Sequence, residues 1–161
     1  MERAVMVLIV GLPGAGKTTL ARQLEGERAA LRFTPDEWME ALLGVSEDNG
    51  RRWVLESQLF WGLAARALTL GVSVILDYGC WSETERDLFR ERAHELGADA
   101  EIVVLDLPLD VLWKRLEARN AALPAGTFAI SRQELEEFAA MFEVPSAAEV
   151  VRWDRQTVVT S

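Results

Sequence analysis

The segment Gly11-Leu12-Pro13-Gly14-Ala15-Gly16-Lys17-Thr18 constrains this chain more than any other feature, because it satisfies G-x-x-x-x-G-K-[ST] at every position and follows an unbroken apolar run. That run, Ala4 to Val10, is rich in β-branched residues and reads as a strand buried on both faces. A helix is expected from about Lys17 to Glu25. Strand, glycine turn and helix in this order make a phosphate cradle. The glycines let the backbone turn tightly so that its amides converge on phosphate oxygens, and the helix N-terminus adds the positive end of its dipole. In such a cradle Lys17 reaches the β- and γ-phosphates and the Thr18 hydroxyl ligates Mg²⁺. The expected nucleotide-binding residues are therefore Gly11, Pro13, Gly14, Ala15, Gly16, Lys17, Thr18 and Thr19.

Strands and helices alternate along the rest of the chain. A short strand is expected near Leu31–Phe33. Thr34-Pro35-Asp36-Glu37 then opens a helix, with Thr34 as N-cap, Pro35 at the first helical position and Glu37 completing a capping box. Arg51 to Leu70 reads as one long helix ended by Gly71, and Val72–Leu76 as a buried strand closed by Asp77. Ser82 and Glu85 mark a further capping box, for a helix running to about Leu96. Ala100–Leu107 is strand-like, and Leu109, Leu112, Trp113 and Leu116 recur at helical spacing after Pro108. Ala121–Ala129 reads as a loop, Ser131 to Glu134 as another helix start, and Thr157–Thr160 as a short edge strand. The alternation implies an α/β fold with a doubly wound parallel sheet and right-handed crossovers, in a single domain spanning residues 1–161.

Composition narrows the function. With 17 basic and 26 acidic residues the formal net charge is −9, a field that repels phosphate backbones, and no run of basic residues supplies a compensating stripe. A nucleic-acid substrate is therefore disfavoured. Cys80 is the only cysteine, which excludes an intrachain disulfide and fits a reducing, cytoplasmic setting. The apolar run near the N-terminus is too short for a membrane span and leads straight into the glycine turn.

Two acids and two arginines complete the expected site. Ligands of an open parallel sheet sit beyond the carboxyl ends of its strands, and Asp36 and Asp77 follow the second and third strands. Asp36 is the expected general base that takes a hydroxyl proton, and Asp77 is expected to hold Mg²⁺, usually through water, or to grip the substrate. Arg115 and Arg119, spaced i, i+4, share one helix face and are expected to clamp transferring phosphate. The alternative for that pair is ion pairing with Glu117 or neighbouring acids on a solvated face. His94 stands alone on a charged helix face, and Trp38 and Trp81, close in sequence to the two acids, are candidate pocket walls.

The cradle Gly11–Thr19, the segment Arg32-Phe33-Thr34-Pro35-Asp36-Glu37-Trp38, the strand end Ile75-Leu76-Asp77-Tyr78-Gly79 and Arg115-Leu116-Glu117-Ala118-Arg119-Asn120 together resemble the small AAA-type P-loop kinases. That group includes the zeta toxins, chloramphenicol phosphotransferase and the kinase domain of polynucleotide kinase. The resemblance spans roughly Val5 to Phe142. It implies a P-loop NTPase fold of five parallel strands in the order 2-3-1-4-5, a small helical lid and an ATP–Mg²⁺ phosphoryl donor. It also implies Asp36 as general base, Arg115 and Arg119 as lid arginines, Asn120–Ile130 as part of that lid and Asp77 as the strand-end acid. ATP rather than GTP rests on this resemblance, because backbone amides read phosphate and not the base.

The resulting expectation is an ATP-dependent phosphotransferase acting on a hydroxyl of a small molecule, with an acceptor pocket between Asp36 and Trp81. Two alternatives stand beside it. One is an ATP-driven switch with water as its only acceptor, and the other is a 5′-hydroxyl polynucleotide kinase, which needs a basic groove. The oligomeric state stays open at this point.

Overall fold

The computed structural model describes residues 2–161. Five strands, β1 (Val5–Gly11), β2 (Leu31–Phe33), β3 (Val74–Gly79), β4 (Asp99–Leu105) and β5 (Arg155–Val159), form one sheet in the order β2-β3-β1-β4-β5. Every neighbouring pair is parallel. This is the α/β architecture expected from the sequence, in the expected strand order.

The period of a strand explains the two cores. Met6, Leu8 and Val10 of β1 point to one side of the sheet, and Val5, Val7 and Ile9 to the other. On the first side they meet Ala64 and Leu68 of α4 (Trp61–Thr69) and Phe89 and Ala93 of α5 (Glu83–Glu95). On the second they meet Ala21 and Leu24 of α1 (Lys17–Arg28), Leu112 and Leu116 of α6 (Leu109–Ala122) and Leu135 of α7 (Arg132–Met141). Because both faces are covered, β1 is apolar throughout rather than alternating with polar residues.

Four local expectations change. The long helix is interrupted: α3 (Arg51–Val54) runs into a wider π-helical stretch at Leu55–Phe60 before α4 begins. The Tyr78 hydroxyl donates to the Glu56 carbonyl at 2.9 Å, so a side chain from β3 enters the helical hydrogen-bond ladder at that stretch. β3 starts at Val74, not Val72, and runs past Asp77 to Gly79, which places Asp77 inside the strand. α6 continues through Ala122, so the expected loop starts later. The Thr34 capping box does not form: helix α2 (Pro35–Leu43) has Thr34 at its N-cap without a side-chain cap bond. Glu37 instead pairs with Arg22 at 2.9 Å and Arg32 at 3.2 Å, tertiary partners that outcompete the local one. The box expected at Ser131 and Glu134 does form, and the Ser82 hydroxyl accepts from the Glu85 amide.

After Phe142 the chain forms a short helix, α8 (Ala147–Val150), and returns as the edge strand β5. A buried ion pair fastens this return. Glu149 accepts from Arg86 Nε at 2.6 Å and Nη2 at 2.8 Å, and Arg86 Nη1 donates to the Cys80 carbonyl at 2.9 Å. Both side chains are 2% exposed or less. Among the described residues no helix is long and apolar enough to cross a membrane.

A buried pair of this kind is costly to break from one side, because the surviving charge loses the carboxylate bonded to it. Glu149→Gln is expected to destabilise the fold by about 3–5 kcal/mol, read as a fall in denaturant midpoint. The double replacement Arg86→Met with Glu149→Leu should recover most of that loss; a double variant as unstable as the single one would contradict this account.

Candidate active site

The cradle turns where β1 meets α1, and close packing leaves no room there for side chains. A Cβ on Gly14 would lie 2.8 Å from the Leu112 carbonyl oxygen and 2.9 Å from Leu116 Cγ, and its φ of +83° is in the left-handed region. A Cβ on Gly11 would lie 2.9 Å from the Leu105 carbonyl. The turn is thus pressed against α6 and the end of β4. Trp81 braces it from below: its indole nitrogen donates to the Gly11 carbonyl at 3.3 Å while its ring packs on Phe138. Trp81 therefore belongs to the support of the cradle rather than to a wall opposite Asp36.

Lys17 Nζ donates to the Leu12 carbonyl at 3.0 Å. Burial pushes its ammonium down, opposed chiefly by Asp77 and then by Asp36. One residue on, the Thr18 hydroxyl donates to Asp77 Oδ2 at 2.7 Å, and the same oxygen accepts from the Thr34 hydroxyl at 3.0 Å. Thr34 in turn accepts from Arg32 Nη1 at 2.5 Å. Asp77 is 4% exposed, and its second oxygen, Oδ1, is buried without a hydrogen-bond partner among the described residues. Burial pushes its carboxyl up, opposed first by Lys17 and then by the two threonine hydroxyls. Desolvation of this carboxylate is thus offset by one ammonium and two hydroxyl donors.

Asp36, in the first turn of α2, is half-buried, and its Oδ1 accepts from Arg52 Nη1 at 2.5 Å. Its charge reaches Lys17, Asp77 and Arg119 strongly enough to bias the ionisation of all three. Lys17, Asp36, Asp77 and Arg119 therefore form one electrostatic cluster, drawn from α1, α2, β3 and α6.

The two arginines of α6 divide. Arg115 Nη1 donates to the Ala15 carbonyl at 3.3 Å, directly on the cradle. Arg119 is half-buried, donates through Nη2 to the Phe128 carbonyl at 3.4 Å and keeps a buried Nε without a partner. Burial pushes its guanidinium down, against the pull of Asp36. Neither pairs with Glu117. The loop between α6 and α7 is held at both ends and at its tip: Asn120 exchanges two hydrogen bonds with Ile130, at 2.6 and 3.0 Å, and the Gly126 amide donates to Glu40 of α2. The α6–α7 loop thus rests on α2. His94 lies elsewhere, paired with Asp154 at 2.7 Å.

Sequence reasoning passed over Thr34 as a polar link to Asp77, and it passed over Arg52 and Glu56 entirely. No motif marks them. The only local signal is the i, i+4 spacing of Arg52 and Glu56, whose side chains meet at 3.3 Å.

A family model described as an AAA domain matches residues 6–145. The chain belongs to this family. Solved structures agree with the membership. A proposed kinase from Chloroflexus aurantiacus J-10-fl superposes with a TM-score of 0.76 at 19% identity, covering 99% of this chain and 86% of that one. Kti12 from Chaetomium thermophilum, in complex with ADP-AlF3, gives 0.74 at 18% identity over 96% and 88%. A gluconokinase from Sinorhizobium meliloti 1021 gives 0.62 at 17% identity over 98% and 82%. At these identities the likeness shows the fold alone, the P-loop NTPase fold with strand order β2-β3-β1-β4-β5. No curated protein sequence matches the chain.

Glu56 offers a test of the electrostatics around this site. It is 7% exposed, and burial pushes its carboxyl from an ordinary value near 4.5 up to about 8, against the pull of Arg52. A carboxyl raised on folding binds its proton more tightly in the native chain. It therefore adds stability at low pH that is lost as pH climbs toward the folded value of about 8. Thermal midpoints of the wild type are expected to fall more steeply between about pH 5 and about pH 8 than those of Glu56→Gln. Parallel profiles would mean that Glu56 titrates as an ordinary surface acid.

Proposed function

We propose that this AAA-domain chain, with residues 1–161 acting as one unit, transfers the γ-phosphoryl group of ATP to a hydroxyl of a small molecule. The observation that carries the reading is the complete cradle whose Thr18 hydroxyl donates to the buried Asp77 at 2.7 Å beside Lys17, with Asp36 in the first turn of α2 and Arg119 on α6. A phosphate-binding cation, a half-exposed carboxylate and a lid arginine are the parts that in-line phosphoryl transfer requires.

In this reading the backbone amides of Gly14, Gly16, Lys17, Thr18 and Thr19, with the α1 dipole behind them, hold the β- and γ-phosphates, and Gly11, Pro13 and Ala15 shape the turn. Lys17 moves from the Leu12 carbonyl to the phosphate oxygens. Arg115 and Arg119 neutralise charge that spreads over the transferred group. Asp36 accepts the proton of the attacking hydroxyl as that oxygen bonds to phosphorus and the bond to the β–γ bridging oxygen of ATP breaks; ADP leaves.

The donor set around Asp77 fits Mg²⁺. The Thr18 hydroxyl and the unpartnered Asp77 Oδ1 are hard oxygen donors, and so few protein ligands suit an ion that keeps several waters and shares its shell with phosphates. When bound there, Mg²⁺ would neutralise charge on the phosphate chain. The kinase and the nucleotide complex among the structural neighbours support the donor chemistry. The net charge of −9 favours a small acceptor over a polynucleotide.

The test is phosphate transfer from γ-labelled ATP with Mg²⁺ across aminoglycosides, chloramphenicol, nucleosides, sugars and a 5′-hydroxyl oligonucleotide. Label on a small molecule is expected, with Asp36→Asn reducing transfer by ~10²–10⁴-fold while ATP still raises the thermal midpoint. Lys17→Ala should abolish that ATP-dependent rise. Label on the oligonucleotide alone, or phosphate release with no acceptor labelled and no effect of Asp36→Asn, would contradict the proposal.

A further inference from the structure

Arg52 stands between two carboxylates and is anchored on three sides. Its Nη1 donates to Asp36 Oδ1 at 2.5 Å and to the Ser46 carbonyl at 3.2 Å, and its Nε donates to Glu56 Oε2 at 3.3 Å. The side chain is 24% exposed, Glu56 beside it 10% and Asp36 40%. Among the described residues no hydrogen bond engages the other Asp36 oxygen, Oδ2.

The origin of this arrangement is local. Arg52 lies in α3, one turn before the π-helical stretch that carries Glu56. Glu56 is thereby buried on the site side of the helix, where its backbone carbonyl takes the Tyr78 hydroxyl and its carboxyl takes Arg52. A buried acid at one end of the guanidinium fixes the direction in which the other end points.

From this geometry we infer that Arg52, oriented by Glu56, is a positioning residue for Asp36: it holds Oδ1 so that Oδ2 faces the acceptor hydroxyl. The inference rests on the reading of Asp36 as the base. It assigns to that base a partner that shares no motif with it and lies 16 residues away in sequence.

Two consequences separate this role from that of an ordinary surface ion pair. The first is rotational. A carboxylate in the first turn of a helix turns freely about its terminal bond, and one strong donor on Oδ1 removes that freedom, which raises the fraction of near-attack geometry. The second is electrostatic. A guanidinium on one carboxylate oxygen holds a fixed charge against the group that takes the proton, so a variant that keeps the charge and one that loses it separate charge from geometry. The titratable groups around Asp36 are the cationic Lys17, Arg119 and Arg52, the acid Asp77, and Glu56, whose protonated form burial favours. Arg52 is the one of these in direct hydrogen-bond contact with it. Because burial favours the protonated form of Glu56, the positive charge of Arg52 is directed chiefly at Asp36.

The experiment measures kcat and KM of γ-phosphate transfer from ATP, and the thermal midpoint, for wild type, Arg52→Gln, Arg52→Lys and Asp36→Asn. The acceptor is the compound that takes label in the panel, or water where none does. Arg52→Gln is expected to lower kcat about 10- to 100-fold, the range for loss of one charge-assisted hydrogen bond. KM for ATP and for the acceptor should be little changed, so that the loss falls on kcat rather than on binding. Arg52→Lys should regain part of kcat, because it keeps the charge, and not all of it, because a single ammonium lacks the planar fork that reaches Asp36 and Glu56 together. A rise in acceptor KM with kcat unmoved would overturn the inference and make Arg52 an acceptor-binding residue. A loss of thermal stability with kcat unmoved would reduce it to a structural ion pair. Full transfer by Asp36→Asn would remove the base itself, an outcome recognisably different from a failure of Arg52 alone.

Discussion

Asp77 Oδ2 accepts the Thr18 hydroxyl from the first turn of α1 and the Thr34 hydroxyl from the junction of β2 and α2, while Lys17 supplies the nearest opposing charge. A carboxylate this deeply buried is tolerated only where donors and a cation replace its water. Satisfying it therefore dictates where three elements meet: α1 must start beside β3, and α2 must start beside both. The glycine turn can approach α6 because Gly11 and Gly14 carry no Cβ, so the cradle and the acid close on each other from opposite sides of the same strand ends.

The two halves of the proposed site are built from different materials. The phosphate side is backbone and one lysine, held rigid by packing against Leu112, Leu116 and the Trp81 indole. The acceptor side is made of side chains on α2 and the π-interrupted helix, linked by ion pairs and capped by a loop whose tip rests on Glu40. Phosphates are alike in every nucleoside triphosphate, whereas acceptors differ among kinases. A rigid backbone reader beside a wall of individually replaceable side chains suits that division of labour.

This division also explains what could be read from sequence. The cradle and the buried strands were legible because each is a local pattern: a complete motif, β-branched runs, glycine stops and a helical repeat of leucines. The five-stranded order came instead from the resemblance to the P-loop kinases. Asp36 and Asp77 were singled out because strand ends place ligands, although Asp77 lies within β3. What failed were contacts between residues far apart in the chain. Thr34 and Asp77 are 43 positions apart, and Arg52 and Asp36 are 16 apart. The local capping motif at Thr34 gave the wrong answer because Glu37 had stronger partners in Arg22 and Arg32. The π-helical stretch was invisible for a related reason: the Tyr78 hydroxyl that enters its hydrogen-bond ladder comes from another element, and no period in residues 51–70 records it.

The account depends on Asp36 facing the phosphoryl group across the line of attack, with Lys17 and Arg119 around it. A crystal structure with ADP, Mg²⁺ and fluoroaluminate measures that directly, because the fluoroaluminate takes the place of the transferred group. The account predicts the ion beside Thr18 and Asp77, and the axial position opposite ADP within hydrogen-bond reach of the Asp36 carboxylate. An axial position turned away from Asp36, or one closed off by another side chain, would contradict it.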